Sequence, residues 1–222
     1  MHYFIDTNIA ISYSLIHDKH HEKSIKFINN KYNDIYWSNI VENEYTNKIN
    51  KINNDTIDFL QKVEKILKNE NIMFFNNIDF ENRIIQKTKN CKLDQIKKRK
   101  LLFYIWDFNQ NNFAYSNKLL KHFNDFISSY NLNYINMDNN LKNKTKLHNC
   151  GFDNYKKYIN YLKLFSDNGV HVPDCKIIGD AHDLALNVKP LTFISCDENM
   201  LNNLNNLDLT FIEIYEFKSI CN

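Results

Sequence analysis

The sequence predicts an α/β fold with a central, mostly parallel sheet, and three observations support this. Short apolar runs alternate with amphipathic helical patterns towards both ends of the chain, as they do in crossover units. Only 3 Gly and 2 Pro occur among 222 residues, so few residues interrupt helices. The middle of the chain, about 80–165, shows helical patterns without a convincing strand. We therefore predict one domain, 1–222, that carries this middle part as a helical insertion or subdomain.

The first part of the chain predicts three strands separated by helices. The strands are short runs of apolar, aromatic and β-branched residues, at 2–6, 34–38 and 71–75. The helices show apolar residues spaced three or four apart, over about 8–16, 21–30, 40–52 and 56–68. Each strand is followed by enough chain for a crossover, which favours parallel pairing.

The alternation of helix and strand resumes after the long middle part. Residues 131–150 are polar and rich in Asn, which predicts a loop. From Pro173 onward the patterns predict a helix over about 174–187, a strand at 191–196, a short helix near 198–204 and a last strand at 209–212.

Composition is typical of a globular protein of the cytoplasm. Hydrophobic residues make up 43% and charged residues 24%, and the formal net charge is only +2. No segment approaches the roughly 18 uninterrupted apolar residues of a membrane span, and no secretory signal is visible at the amino terminus. The 5 cysteines are odd in number and lack metal-binding spacing. This predicts reduced thiols and neither a disulfide framework nor a zinc site.

Two of the predicted strands end in an aspartate. Asp6 follows the first strand, with Thr7 and Asn8 after it, and Asp197 follows the strand at 191–196. The carboxyl ends of parallel strands meet at one edge of a sheet, where ligands bind. Carboxylates that converge there repel one another unless a cation lies between them. The pattern predicts a divalent-metal site, although either aspartate could instead cap the following helix.

Two further acids lie at the starts of helices. On a helical wheel Glu44 falls inside the apolar arc of its helix and Glu42 just outside it, so Glu44 is the better candidate, unless it only pairs with Lys48. Asp174 lies at the amino-terminal end of the apolar stripe of its helix, or else serves as the N-cap of that helix. Asp180 lies about 120° from Asp174 and is expected at the solvent side or the cleft rim, as a weaker candidate.

These acids follow one another as an Asp after a strand, a Glu in a helix, an Asp in a helix and an Asp after a strand. This order resembles that of the acidic residues in PIN-domain nucleases. The matching segments are residues 4–8, 38–44, 174–181 and 193–197. The resemblance covers about 1–75 and 172–215 and implies a PIN-like three-layer α/β fold. Each motif is weak alone, whereas the ordered set is fairly specific.

The resemblance implies a magnesium- or manganese-dependent endoribonuclease that hydrolyses RNA phosphodiesters. Asp6, Glu44, Asp174 and Asp197 would be its catalytic residues and metal ligands, directly or through water. Asn8 and Asp180 would support those ligands. PIN-like proteins often pair, so the resemblance is compatible with a homodimer, whereas neither the oligomeric state nor an antitoxin partner is readable from the sequence.

A nuclease also needs a surface that holds a polyanion. Lys97, Lys98, Arg99 and Lys100 form a basic cluster at the start of a predicted helix and could contact phosphates. A solvated helix face would give the same pattern in a chain this rich in lysine.

Two other functional classes compete with the nuclease interpretation. A member of the same fold could bind RNA or act as a scaffold without cleaving. A phosphatase of the haloacid dehalogenase type is disfavoured, since that class requires a second Asp where this chain has Asn8.

Overall fold

The computed structural model describes residues 1–30, 32–107, 113–149, 154–207, 209 and 212–220. It divides the chain into two compact units. The first unit comprises Met1–Ile16, His20–Asn47 and Met137–Asn222, and the second comprises His17–Lys19 and Lys48–Asn136.

The first unit is built on a parallel sheet of five strands. In chain order these are β1 (His2–Ile5), β2 (Asp34–Ser38), β5 (Thr145–His148), β6 (Leu191–Ser195) and β7 (Glu216–Ser219). Their order across the sheet is β5-β2-β1-β6-β7, and each neighbouring pair is parallel. This confirms the predicted α/β class with a central parallel sheet.

Helices connect these strands. Those wholly inside the first unit are α1 (Thr7–Ser14), α2 (His21–Ile28), α7 (Asn154–Lys157), α8 (Ile159–Asp167), α9 (Val172–Ala185) and α10 (Glu198–Asn205). The core of this unit includes Phe4 and Phe193, fully buried side chains on adjacent strands whose rings stack at 6.1 Å between centroids. Burial of the central strands on both faces explains their continuous apolar sequences.

The second unit is mainly helical. It contains α4 (Asn77–Lys87), α5 (Gln95–Asp107) and a two-stranded antiparallel ribbon of β3 (Met73–Phe74) and β4 (Ala114–Tyr115). Two long helices contribute to both units, α3 (Asn39–Asn69) and α6 (Ser116–Lys144). The helical region of this unit thus begins at Lys48 and ends at Asn136, earlier at both ends than the segment 80–165 that was predicted from the sequence.

Several local predictions were wrong. The third predicted strand belongs to the small ribbon and not to the main sheet, and the two helices predicted at 40–52 and 56–68 form one continuous α3. Residues 131–150, predicted as a loop, contain the end of α6 and strand β5. The last described strand is β7; of the strand predicted at 209–212, residues 209 and 212 are not in a strand, and residues 210 and 211 lie outside the described part.

These errors share a physical cause. β5 is an edge strand among the described residues, and its sequence, Thr-Lys-Leu-His, contains one aliphatic residue, as suits a strand that is paired on one side. The Asn-rich end of α6 is helical although Asn is a poor helix former, and its buried Leu141 anchors that end. Tertiary packing overrides local propensity in both places.

Strand register places five polar or charged residues in one row at the carboxyl edge of the sheet. Ser38 pairs with His148, Ser195 pairs with Ser219, and the partner of Ile5 is Ile194. The amide N of Asp6 donates to the carbonyl O of Ile194 at 2.9 Å, which continues this register one residue further. Paired residues of parallel strands share a face. We call this set the edge row: His148, Ser38, Asp6, Ser195 and Ser219.

The cysteines do not all follow the prediction of reduced thiols. Cys91 and Cys175 are free and buried, whereas Cys196 is disulfide-bonded. Cys150 and Cys221 lie outside the described residues. A disulfide requires Cα atoms about 4.4–6.8 Å apart in the folded chain, and sequence spacing alone does not reveal that distance.

None of the described helices is both long enough and apolar enough to cross a membrane.

Candidate functional site

Asp6 lies directly after β1 and is almost fully buried, with 5% of its surface exposed. Its extended backbone (φ −79°, ψ 160°) and its side chain make it the N-cap of α1, because Oδ1 accepts a hydrogen bond from the amide N of Thr7 at 2.6 Å. The capping interpretation is therefore correct. It does not exclude a further role, since a carboxylate has about four acceptor positions.

The second oxygen of Asp6 joins the end of β1 to the end of β6. Oδ2 accepts hydrogen bonds from Asn8 Nδ2 at 2.6 Å and from Ser195 Oγ at 2.8 Å. Asn8 also makes two hydrogen bonds to the end of β6. Its Nδ2 donates to Ser195 Oγ and its Oδ1 accepts from the amide N of Cys196, both at 3.0 Å. The structure thus places Asn8 directly against Asp6.

Ser195 uses the full hydrogen-bonding capacity of a hydroxyl group. Oγ donates to Asp6 and accepts from Asn8 Nδ2 and from the amide N of Asp197, the latter at 3.0 Å. One donated and two accepted bonds use the single hydrogen and both lone pairs of the hydroxyl, so rotating it would break at least one bond. Because Ser195 is completely buried, it fixes the orientation of the Asp6 carboxylate.

Glu44 lies beside Asp6 through an intervening threonine. Thr7 Oγ1 donates to Glu44 Oε2 at 2.7 Å, and Thr7 is the residue whose amide N bonds Asp6. Thr7 is buried and Glu44 is partly exposed, so this carboxylate lies at the boundary between the protein interior and solvent.

Asp174 and Asp197 lie at different positions relative to their helices. Asp174 lies in the first turn of α9, whose N-cap is His171, and its charge acts on Asp6. Asp197 is the N-cap of α10, where Oδ1 accepts from the amide N of Met200 at 2.9 Å. Its own amide N bonds Ser195, so Asp197 lies at the same edge of the sheet as Asp6.

Burial raises the pKa of Asp6 from 3.8 to about 7. The hydrogen bond from Ser195 acts in the opposite direction, the charge of Asp174 raises the pKa again, the amide N of Thr7 lowers it, and the charge of Glu44 raises it. The structure therefore places two of the other predicted carboxylates, Glu44 and Asp174, close enough for their charges to act on Asp6. Their negative charges are mutually unfavourable without a nearby cation.

The chemistry of these side chains suits a hard divalent cation. Carboxylate oxygens are the preferred protein ligands of Mg²⁺ and Mn²⁺. Within the described ranges, however, no group of three or more His, Cys, Asp or Glu side chains is arranged to hold a metal ion. The carboxylates are thus suitable in type and charge, and side-chain movement would be needed to bring them around one ion.

Asp180 does not lie at the solvent side or the cleft rim. It is 2% exposed, and Oδ1 accepts a hydrogen bond from Tyr155 OH at 2.7 Å. The position predicted for Asp180 was wrong, because a single buried face was assumed for its helix, whereas α9 is buried at every position from Ile177 to His182.

The predicted basic cluster is not one continuous surface. Lys98 is 3% exposed, and its Nζ donates to the carbonyl O of Thr88 at 3.1 Å and of Cys91 at 2.9 Å. Arg99 Nη1 pairs with Glu81 Oε2 at 3.0 Å. The other two members differ again: Lys97 is partly exposed, and Lys100 Nζ donates to the carbonyl O of Asp18. Lys98 is a structural residue and cannot contact a phosphate from this position.

Sequence reasoning missed two residues of this edge. Ser195 lay inside a predicted strand, where its polar side chain among apolar neighbours was the available signal. His148 was missed because its segment was predicted to be a loop. Its position in the edge row depends on β5 pairing with β2, which no local pattern indicates.

Comparison with protein-family models, with curated proteins and with solved structures found no match to this chain.

Proposed function

We propose that the chain is a divalent-metal-dependent endoribonuclease of the PIN type. The observation that supports this best is the buried Asp6 carboxylate, whose pKa is raised to about 7 by burial and also by the charges of Asp174 and Glu44. Purely structural carboxylates usually gain compensating cationic partners. Raised pKa values of grouped carboxylates at a sheet edge are characteristic of functional sites.

Each residue has a defined part in the proposed site. Asp6, Glu44 and Asp174 hold the cation, and Asp197 contributes from the adjacent strand end, directly or through water. Ser195 and Asn8 keep Oδ2 of Asp6 in one orientation. Bound Mg²⁺ or Mn²⁺ would lower the pKa of the attacking water and offset the charge developing on the phosphate.

The test is RNA cleavage by the purified chain. Mixed structured RNAs with Mn²⁺ should be cut, and excess chelator should stop the reaction. Asp6→Asn and Asp174→Asn should each lower the rate at least about 100-fold, because each removes a negative charge that holds the metal. Asp197→Asn should lower it less, since the amide oxygen can still accept the bond from Met200.

Two matched controls separate the site from general effects of charge. Glu44→Gln should impair cleavage while Glu42→Gln, two residues away and outside the apolar arc, should not. Glu198→Gln, next to Asp197 and exposed, should leave the rate unchanged. Cleavage that persists in both Asp6→Asn and Asp174→Asn would assign the activity to a contaminant or to another site.

The second candidate is an RNA-binding or scaffold protein of the same fold without catalysis. The absence of a preformed group of three metal-binding side chains in the described part of the chain favours it. RNA binding without cleavage in Mg²⁺, Mn²⁺ and Ca²⁺ would support this candidate over the nuclease.

A further inference from the structure

A hydrogen-bonded cluster lies at the carboxyl end of β5. His148 Nε2 lies 3.2 Å from Asp183 Oδ2, and the other oxygen of Asp183 accepts a bond from Tyr158 OH at 2.8 Å. The side chains of His148 and Asp183 are each 18% exposed. His182 packs edge-on against the Tyr158 ring, with 5.0 Å between centroids. Tyr158 thus holds the Asp183 carboxylate, and Asp183 in turn fixes the orientation of the partly exposed His148 imidazole.

A lysine lies next to this cluster. Lys157 is exposed, and its Nζ lies 5.1 Å from the centroid of the Tyr158 ring. A cation over an aromatic ring is held in place without losing its hydration on the outer side. The cluster thus offers one exposed cation and one imidazole, beside the Asp183 carboxylate that contacts His148 and Tyr158 and whose charge also acts on Lys157.

The edge row relates this cluster to the carboxylate site. His148 pairs with Ser38, and Ser38 lies level with Asp6 because Tyr36 pairs with Phe4 two residues earlier. His148 is therefore two strands from Asp6, about 10 Å between Cα atoms at the usual strand spacing. A separation of this order suits neighbouring phosphates of one strand, one at each side chain.

We propose that His148 and Lys157 form a subsite for a backbone phosphate of an RNA substrate, adjacent to the phosphate held at Asp6. This inference rests on the proposed nuclease function and names the residues that position its substrate. In an imidazolium both ring nitrogens carry hydrogen, so Nε2 donates to Asp183 while Nδ1 donates to a phosphate oxygen. Among the described residues Nδ1 has no hydrogen-bond partner that would compete.

The subsite also adds positive charge near the carboxylates at the edge of the sheet. With no cation bound, the carboxylates of Asp6, Glu44 and Asp174 repel a polyanion, so binding needs positive groups nearby. The basic cluster of α5 does not supply them as one surface, since Lys98 is buried. His148 and Lys157 supply them within the first unit, and His148 lies in the edge row with Asp6.

The experiment measures affinity for a labelled single-stranded RNA by fluorescence anisotropy with EDTA present, over a series of salt concentrations. His148→Gln and Lys157→Ala should each weaken binding roughly threefold to tenfold, the effect of one exposed charge-assisted contact. The slope of log Kd against log salt should fall by about 0.7 for each variant, as expected for one phosphate contact to a single strand.

Lys163→Ala is the matched control, because it removes one exposed lysine from the neighbouring α8 and should change neither affinity nor slope. In cleavage assays His148→Gln should raise KM and leave kcat unchanged, because the residue positions substrate and does not touch the reacting atoms. A purely structural role would lower thermal stability without changing the salt slope.

The outcomes separate this inference from the proposed function. Binding that weakens in both variants, from a wild type that never cleaves, supports the subsite and rejects the nuclease. Cleavage by the wild type, with unchanged affinity and slope in His148→Gln and Lys157→Ala, rejects the subsite alone. A wild type that binds no RNA rejects the subsite as well.

Discussion

Ser195 Oγ donates a hydrogen bond of 2.8 Å to Asp6 Oδ2, and so links the ends of two adjacent strands that lie 189 residues apart in the chain. The bond is completely buried at Ser195 and joins a hydroxyl whose other bonds are to Asn8 and Asp197. Because charge-assisted bonds to a carboxylate are strong, this one limits the rise in the pKa of Asp6 that burial causes.

Replacing Ser195 by Ala tests this relationship. The pKa of Asp6 should rise further above about 7, since the charged form loses a donor. Unfolding free energy should fall by about 1–3 kcal/mol, because the buried carboxylate and two donors lose a partner. A carboxyl NMR titration and urea unfolding measure the two effects. Ser166→Ala, at an exposed position, is the control, and an unshifted Asp6 titration would contradict the prediction.

Stability should depend on pH through Asp6. Its pKa is about 7 in the folded chain against 3.8 in an exposed carboxyl, so the folded state binds more protons between those values. The contribution is fully present below about pH 4 and is lost as the pH rises through about 7, on the order of 4 kcal/mol in total.

The measurement is the difference in unfolding free energy between wild type and Asp6→Asn across that pH range. Asp6→Asn cannot titrate, so its stability relative to the wild type should increase as the pH rises. Asp167→Asn, exposed in α8, should run parallel to the wild type. A constant difference between wild type and Asp6→Asn would show that Asp6 is ionised at its ordinary pKa.

Metal binding should release a proton from Asp6. At pH 7 about half of the Asp6 carboxyls are protonated when the pKa is about 7. A cation binds the ionised form, so about half a proton should be released for each Mn²⁺ bound, and almost none at pH 8.5. Calorimetry in two buffers of different ionisation enthalpy counts these protons. Equal binding enthalpies in both buffers at pH 7 would argue against Asp6 as a ligand.

Lys98 should matter for stability and not for RNA. Lys98→Met keeps the length of the side chain but leaves the buried carbonyl groups of Thr88 and Cys91 without their donor. We expect a loss of about 1–3 kcal/mol in unfolding free energy and unchanged RNA affinity. Lys97→Met, partly exposed on the same helix, should cost little stability. Weaker RNA binding by a folded Lys98→Met chain would contradict this assignment.

The central elements of the fold could be predicted because their sequences are locally consistent. β6 is buried throughout, and the carboxyl ends of β1 and β2 are buried as well. The three strands are rich in apolar and aromatic residues and are followed by helices, so pattern and packing agree. The edge elements could not be predicted in the same way. Within the described ranges β5 and β7 lie at the two edges of the sheet, and their sequences are correspondingly polar.

The residues of the candidate site likewise fall into those that local sequence patterns identify and those that depend on tertiary packing. Asp6 and Asp197 were identifiable because each follows an apolar strand, and Glu44 because of its place on the helical wheel. The burial of Asp180 and of Lys98 was not identifiable, because it depends on how their helices pack against other segments, and a helical wheel does not show that packing. The contribution of Ser195 likewise needs β6 to lie beside β1.

The sequence by itself determined which acidic side chains end strands or begin helices, because hydrophobic periodicity is a local property of the chain. Only the tertiary structure decided which of them share one electrostatic environment, and that His148 lies in the same row as Asp6. Strand order and register set those distances, and both result from packing between segments that are remote in sequence.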